Sequence, residues 1–283
     1  MTAVPSVTIG LLHPGEMGSV VGACARKAGA RVLWASEGRG RSTGARAAAA
    51  GFEDAGALSA LVRACDVILA VCPPHAALAL AHAVAGERFA GLYVDANAVS
   101  PATAREIGAV IEKDGGTFVD GGIVGSPPVK PGTTRLYLSG AAARRAADVF
   151  AGTPLEAVVL EGAPGAASAV KMAYAAWTKG SQALLMAVRA VAAVEGVEAA
   201  LLAEWARSQP DLTARSERAA AGSAPKAWRW IGEMEEIAAG FAAAGLPEGF
   251  HEAAAEIFRR LEAYKDAPAP SISEVARKLP RRA

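Results

Sequence analysis

The sequence predicts an α/β protein in which an N-terminal, doubly wound Rossmann-type parallel sheet spans residues 1–162 and an all-helical domain spans residues 163–283. Two observations predict it. Seven short aliphatic or β-branched runs alternate with helical stretches in the first half, with glycine, proline or asparagine at the joints. Beyond Gly162 no further strand signal occurs, and the chain reads as helices as far as Tyr264.

The strand runs are residues 7–12, 31–35, 67–71, 92–95, 117–119, 136–139 and 158–160. A strand, a helix and a neighbouring strand in repeated succession favour parallel pairing, because each helix carries the chain back across the sheet. From residue 163 to about Trp205 a long helical region is interrupted only at Gly196. Abundant alanine, as in residues 47–50 and 219–221, raises the helical content, since alanine is the best helix former. The tail after Asp266 holds three prolines and several basic residues and reads as a loosely ordered end.

Lysine plus arginine number 29 against 28 acids, so no global field attracts nucleic acid or an anionic membrane; a small-molecule partner is expected. Cys24, Cys65 and Cys72 are odd in number, lack a C-x-x-C spacing and lie in apolar segments, which suits a reducing compartment. Residues 1–12 lack the features of a signal peptide and no window reaches eighteen apolar residues. The expectation is a cytoplasmic chain with no membrane partner.

The first strand runs into His13-Pro14-Gly15-Glu16-Met17-Gly18 and then a helix. In the fingerprint G-x-G-x-x-G the glycines permit a tight turn and let the backbone and helix N-terminus approach a pyrophosphate. Gly15 and Gly18 fit, whereas His13 stands where the first glycine belongs. The second strand ends near Ser36, about twenty residues on, where ribose recognition is expected. Ser36 with Arg39 or Arg41 suits a 2′-phosphate, which favours NADP, while Glu37 is a candidate ribose ligand for NAD. The competing reading makes both arginines solvated loop charges.

The segment 10–18 resembles the G-x-x-G-x-G-x-M-G opening of the β-hydroxyacid dehydrogenase family, kin of 6-phosphogluconate dehydrogenase and the imine reductases. Four later segments agree in order: DVILAVCPP at 66–74, DANAVSP at 95–101, DGGIVGSPPVKPG at 120–132, and the stretch from Gly162 to Lys171, which looks like G-x-x-G-x-x-x-K-x-x-N-N. The resemblance covers about the first 195 residues. It implies a dinucleotide-binding domain followed by a helical substrate and dimerisation domain. It places Val71, Cys72, Pro73 and Asn97 along the cofactor, Val124, Gly125 and Ser126 at the substrate, and Lys171 as proton donor or acceptor.

Ser168, Lys171, Ala175 and Thr178 share one face of a helix whose other faces are apolar. The competing reading is a lysine that snorkels to solvent. At the family position, an ammonium exchanges a proton with the substrate oxygen while hydride passes to or from nicotinamide. The chain departs from the family where the expected asparagine is Ala175 and the expected serine is Val124; Tyr174 precedes Ala175 as a second catalytic candidate. No Lys-Asp pair is evident in the C-terminal half, where Trp228, Trp230, Glu233 and His251 stand. A bulkier, more apolar substrate than a short hydroxy acid is expected, with Trp230 against it or else in the helical core. His13, His75, His82 and His251 show no metal-like spacing, so no metal is assigned. Cys72 is expected to pack beside the cofactor rather than react.

These features predict hydride transfer between NADP(H) and a carbonyl or alcohol carbon. The alternatives are an imine reductase on the same fold or an inactive cofactor-binding sensor. The long apolar helix starting near Ala163 predicts a homodimer packed through the helical halves, with each active site between a nucleotide domain and helical segments.

Overall fold

The computed structural model describes residues 7–265 and 267–280. It divides into two compact units, residues 1–172 and 173–283. The division falls inside a helix and ten residues beyond Gly162, because the first turns of that helix are tied to the sheet by buried hydrogen bonds described below.

In the first unit the strands are β1 (Thr8–Leu12), β2 (Arg31–Trp34), β3 (Glu53–Asp54), β4 (Val67–Ala70), β5 (Leu92–Asp95), β6 (Thr117–Gly125), β7 (Thr134–Ser139) and β8 (Leu155–Val159). The helices between them are α1 (Glu16–Lys27), α2 (Arg41–Ala49), α3 (Leu58–Ala64), α4 (Ala77–Gly86), α5 (Pro101–Lys113) and α6 (Ala143–Asp148). They build one sheet in the order β3-β2-β1-β4-β5-β6-β7-β8. The strand order reverses between β1 and β4, the switch point at which open α/β sheets leave a crevice.

β4 and β5 are buried at every position, as strands covered on both faces must be. Alternate residues feed two cores. Ile9, Leu11, Val67 and Leu69 pack on one face with Val21 of α1 and Ala146 of α6. Leu12, Ile68 and Tyr93 pack on the other with Leu61 of α3, Ala81 of α4 and Ile107 of α5. Helix α5 begins where Ser100 accepts a hydrogen bond from the Thr103 N–H and Pro101 presets the first turn.

The expected all-parallel sheet is corrected at one edge: β7 runs antiparallel to β6, and β8 is parallel to β7, so the last two strands oppose the other six. The connection 126–133 after Gly125 makes the reversal. Gly125 has φ 123°, and a Cβ there would lie 2.2 Å from the Thr133 carbonyl oxygen, so no side chain fits.

The long helix α7 (Ala166–Val194) starts in the first unit and continues into the second. The second unit adds α8 (Glu198–Ser208), α9 (Leu212–Ser223), α10 (Ile231–Ala243), α11 (Gly249–Arg259) and α12 (Ile272–Lys278). Arg189 is buried and paired with Glu198 at 2.6 Å, and it also donates to the Ser216 hydroxyl, fastening α7 to α8 and α9. The tail is not the loose end expected. Ser271 and Glu274 form a capping box, Ile272, Val275 and Leu279 are buried, and the Leu279 carbonyl accepts from Arg260 at 2.9 Å. Asp266 and residues 281–283 lie outside the described residues, as do residues 1–6 of the segment read for a signal peptide.

Candidate active site

The loops after β1, β2, β4, β5 and β6 leave the same, carboxyl edge of the sheet, which brings His13, Arg39, Cys72, Asn97 and Ser126 to one end of the unit. His13 adopts φ 65°, the left-handed region in which a glycine would sit unstrained. Its carbonyl accepts from the Gly15 N–H at 2.7 Å. A Cβ on Gly18 would fall 2.5 Å from that carbonyl and 3.4 Å from Val71, so only glycine lets α1 rise this close to the loop. Pro14 is buried and its carbonyl accepts from Arg46 at 3.1 Å; Met17 packs on the core and Glu16 is exposed.

Ser36 lies two residues beyond β2, and its carbonyl accepts the Arg39 N–H at 3.0 Å. That turn sends the Arg39 guanidinium back to β1, where Nη1 donates to His13 Nε2. Burial, with the Arg39 charge second, lowers the His13 imidazole to about 4, so it is neutral at physiological pH. Arg39 Nε and His13 Nδ1 are buried without a hydrogen-bond partner among the described residues. Arg41 and Glu37 are exposed.

Asn97 is turned inward and 2% exposed. Its Oδ1 accepts the Cys72 N–H at 2.5 Å and its Nδ2 donates to Asp95 Oδ1. It therefore positions the loop Val71-Cys72-Pro73, and its side chain is not offered to a ligand. Asp95 is fully buried, and burial first, then Asp120 on the neighbouring strand, raises its carboxyl to about 7. Burial pushes the Cys72 thiol up to about 12, which keeps it protonated and unreactive.

Asp120 on β6 anchors the start of α7. Its Oδ2 accepts from the N–H groups of Gly165 (2.8 Å) and Ser168 (3.1 Å) and from the Ser139 hydroxyl (2.8 Å), and its Oδ1 accepts from the Ser168 hydroxyl (2.5 Å). A carboxylate at a helix N-terminus satisfies amides that have no partner within the helix. Two residues on, a Cβ at Gly122 would lie 2.7 Å from the Ala167 carbonyl and 2.8 Å from Lys171 Cβ. Gly122 thus sets half-buried Lys171 directly on the strand backbone. Val124 is buried at 3% exposure and presents no polar group, whereas Ser126 is exposed and its carbonyl accepts from the Thr134 hydroxyl.

In the second unit Tyr174 is 48% exposed. Trp230 stands edge-on to Phe258 at 5.4 Å, and Lys179 Nζ lies 5.1 Å from its ring centre while pairing with Glu233. The Trp230 ring packs in the helical core and is half-buried. The Lys179–Glu233 pair was missed because its members are 54 residues apart. Asp95 and Asp120 stood inside recognised motifs, but nothing in their spacing marked them as buried anchors. Among the described residues no group of three His, Cys, Asp or Glu is placed to hold a metal ion, and no helix is long and apolar enough to cross a membrane.

Residues 192–261 match a family model described as a domain of unknown function, DUF1932. Among curated proteins none matches the chain. A solved conserved protein of unknown function, MTH1747, described as structurally similar to 3-hydroxyacid dehydrogenases, shares 29% identity over 91% of this chain and 98% of its own, with a TM-score of 0.67. The 3-hydroxyisobutyrate dehydrogenase of Mycobacterium tuberculosis, solved with L-serine, shares 20% identity over 98% of this chain and 100% of its own, with a TM-score of 0.72. A reductive aminase from Aspergillus terreus, in complex with NADPH and ethyl levulinate, shares 18% over 95% and 98%, with a TM-score of 0.56. With a Rossmann-type sheet, a following helical unit and the DUF1932 segment inside that unit, the chain shares the fold of these solved 3-hydroxyacid dehydrogenase-like proteins.

Proposed function

We propose that the protein is an NADP(H)-dependent oxidoreductase that interconverts a carbonyl and an alcohol on a small organic substrate. The observation that carries this reading is the seating of Lys171 against the β6 backbone at Gly122, on a helix whose start is fixed by Asp120. The dinucleotide fits the residues present. Glycines at 15 and 18 clear the approach to the start of α1, and Arg39 and His13 keep buried N–H groups unpaired where the adenosine ribose of such a ligand lies. Gly15 and Gly18 with Pro14, Glu16 and Met17 would border the pyrophosphate; Ser36 and Arg39 would take the 2′-phosphate, with NAD the second candidate. Val71, Cys72 and Pro73 would line the nicotinamide half, held in place by Asn97.

Bound there, the cofactor supplies or accepts the hydride. Lys171 gives its Nζ proton to the carbonyl oxygen as that oxygen gains charge, and takes the proton back in the oxidative direction. Gly125 and Ser126 offer a backbone amide and a hydroxyl to orient the substrate. Tyr174, one turn after Lys171, supplies the hydroxyl that stands in for the missing asparagine. An imine substrate is cationic, and a lysine ammonium beside it is repulsive, so Lys171 favours oxygen over nitrogen.

The test is a screen of hydroxy acids, aryl alcohols, ketones and imines followed at the nicotinamide absorbance. On an accepted substrate, Lys171→Ala is expected to lower kcat by roughly a hundredfold or more while cofactor affinity barely changes. Tyr174→Phe is expected to cost less. A Lys171→Ala enzyme within a few-fold of the parent overturns the mechanism, and turnover of imines alone favours the reductase alternative. Dinucleotide binding with no turnover across the screen favours a sensor.

A further inference from the structure

His13 stands where the dinucleotide fingerprint has its first glycine. A histidine at φ 65° is strained, and the site that needs a small residue carries an imidazole instead. The geometry gives that imidazole a defined state. A guanidinium has only donors, so the contact from Arg39 Nη1 makes His13 Nε2 the acceptor and puts the ring proton on Nδ1. The ring is neutral at physiological pH, through burial and the Arg39 charge. Its Nδ1–H and the Arg39 Nε–H are then two buried donors that no described residue satisfies.

Resting on the dinucleotide reading of the preceding section, we propose that His13 is a specificity residue that, with Arg39, forms a two-donor clamp for the 2′-phosphate of NADP(H). The two donors come from loops after adjacent strands, β1 and β2, which is where the adenosine ribose of a dinucleotide lies on this type of sheet. A phosphate monoester dianion offers oxygens to both at once and neutralises the guanidinium. NAD(H) has only a ribose hydroxyl there and leaves at least one buried N–H unpaired. The imidazole thus discriminates between the cofactors by what stays unsatisfied, in addition to the charge of Arg39. Arg46, held on the Pro14 carbonyl and Thr43, braces the loop without joining the clamp.

The experiment titrates NADPH and NADH into the full-length protein and into His13→Gly, Arg39→Ala and the double variant, read by nicotinamide fluorescence. Glycine suits the left-handed backbone at residue 13, so the His13→Gly chain is expected to fold. The parent is expected to prefer NADPH. His13→Gly is expected to reduce that preference tenfold or more, the effect of losing one hydrogen bond to a charged group, with NADH affinity changed by less than about threefold. The double variant should lose less than the two single losses combined, because each residue fixes the other. Nitrogen-15 NMR of the parent should show Nδ1 protonated and its resonance moved by NADPH more than by NADH.

Equal affinity of the parent for the two cofactors, or a preference unchanged in His13→Gly, overturns the clamp while leaving dinucleotide binding intact. An equal weakening of both cofactors in His13→Gly also overturns it, since the imidazole would then touch the shared pyrophosphate. A ring protonated on Nε2 overturns the geometry on which it rests. Failure of the parent to bind either dinucleotide overturns the nucleotide reading itself, and the clamp with it.

Discussion

Replacing Asp120 tests the link between the sheet and α7 most directly. The carboxylate accepts four hydrogen bonds, two from hydroxyls and two from main-chain N–H groups. In Asp120→Ala the hydroxyls of Ser139 and Ser168 can rotate toward other acceptors, but the N–H groups of Gly165 and Ser168 cannot. Both residues are buried. Two orphaned buried donors at about 1–3 kcal/mol each give an expected loss of roughly 2–6 kcal/mol. Asp120→Asn keeps a carbonyl for the three donors around Oδ2 and turns its amide toward the Ser168 hydroxyl, so only charge assistance is lost, about 1–2 kcal/mol. Guanidinium unfolding followed by far-ultraviolet circular dichroism measures the ranking, and hydrogen exchange at Gly165 and Ser168 locates it. An alanine variant within about 1 kcal/mol of the parent, or with unchanged exchange at those two amides, would refute the anchoring argument.

Asp95 makes stability depend on pH. Its carboxyl titrates near 7 in the folded chain against an ordinary value of 3.8, so its stabilising contribution is complete below about pH 4 and falls as pH rises toward 7. Asp95→Asn is expected to flatten that part of the stability profile; an unchanged slope between pH 4 and 7 would remove Asp95 as its source. A homodimer built through the helical units is also expected, because Trp177, Leu184 and Phe250 are 64–77% exposed around an apolar groove of about 600 Å³ between α7 and α11. Light scattering at micromolar concentration should give twice the chain mass, and a monomer would end that expectation.

Strands β1, β2, β4 and β5 were legible because apolar residues dominate each between punctuating residues, and β5 matches residues 92–95 at both ends. Strand β3 escaped notice because it is two acidic, exposed residues, Glu53 and Asp54, whose only strand credential is pairing with β2. The reversal at β7 left no trace in periodicity, since both directions of a buried strand read alike. Proline and charge in the tail hid α12, whose buried residues Ile272, Val275 and Ala276 are followed by buried Leu279 at its C-cap. At the site, glycines and the lone lysine stood out by type. The partners of Asn97 and Asp120 did not, because a hydrogen bond spanning 25 or 48 residues leaves no local pattern.

The reversed strands set where Lys171 comes to rest. Because β8 opposes β6, the chain leaves the sheet at the amino edge of the parallel strands, and α7 starts beside Asp120 and passes Gly122 with Lys171. The helix therefore climbs alongside β6 toward the crevice edge, and the lysine's height on that climb is counted from the Asp120 anchor. It works as a ruler whose zero is a carboxylate. One residue inserted between Ser168 and Lys171 would turn the ammonium by about 100° around the helix and lift it about 1.5 Å, without touching a single residue of the sheet.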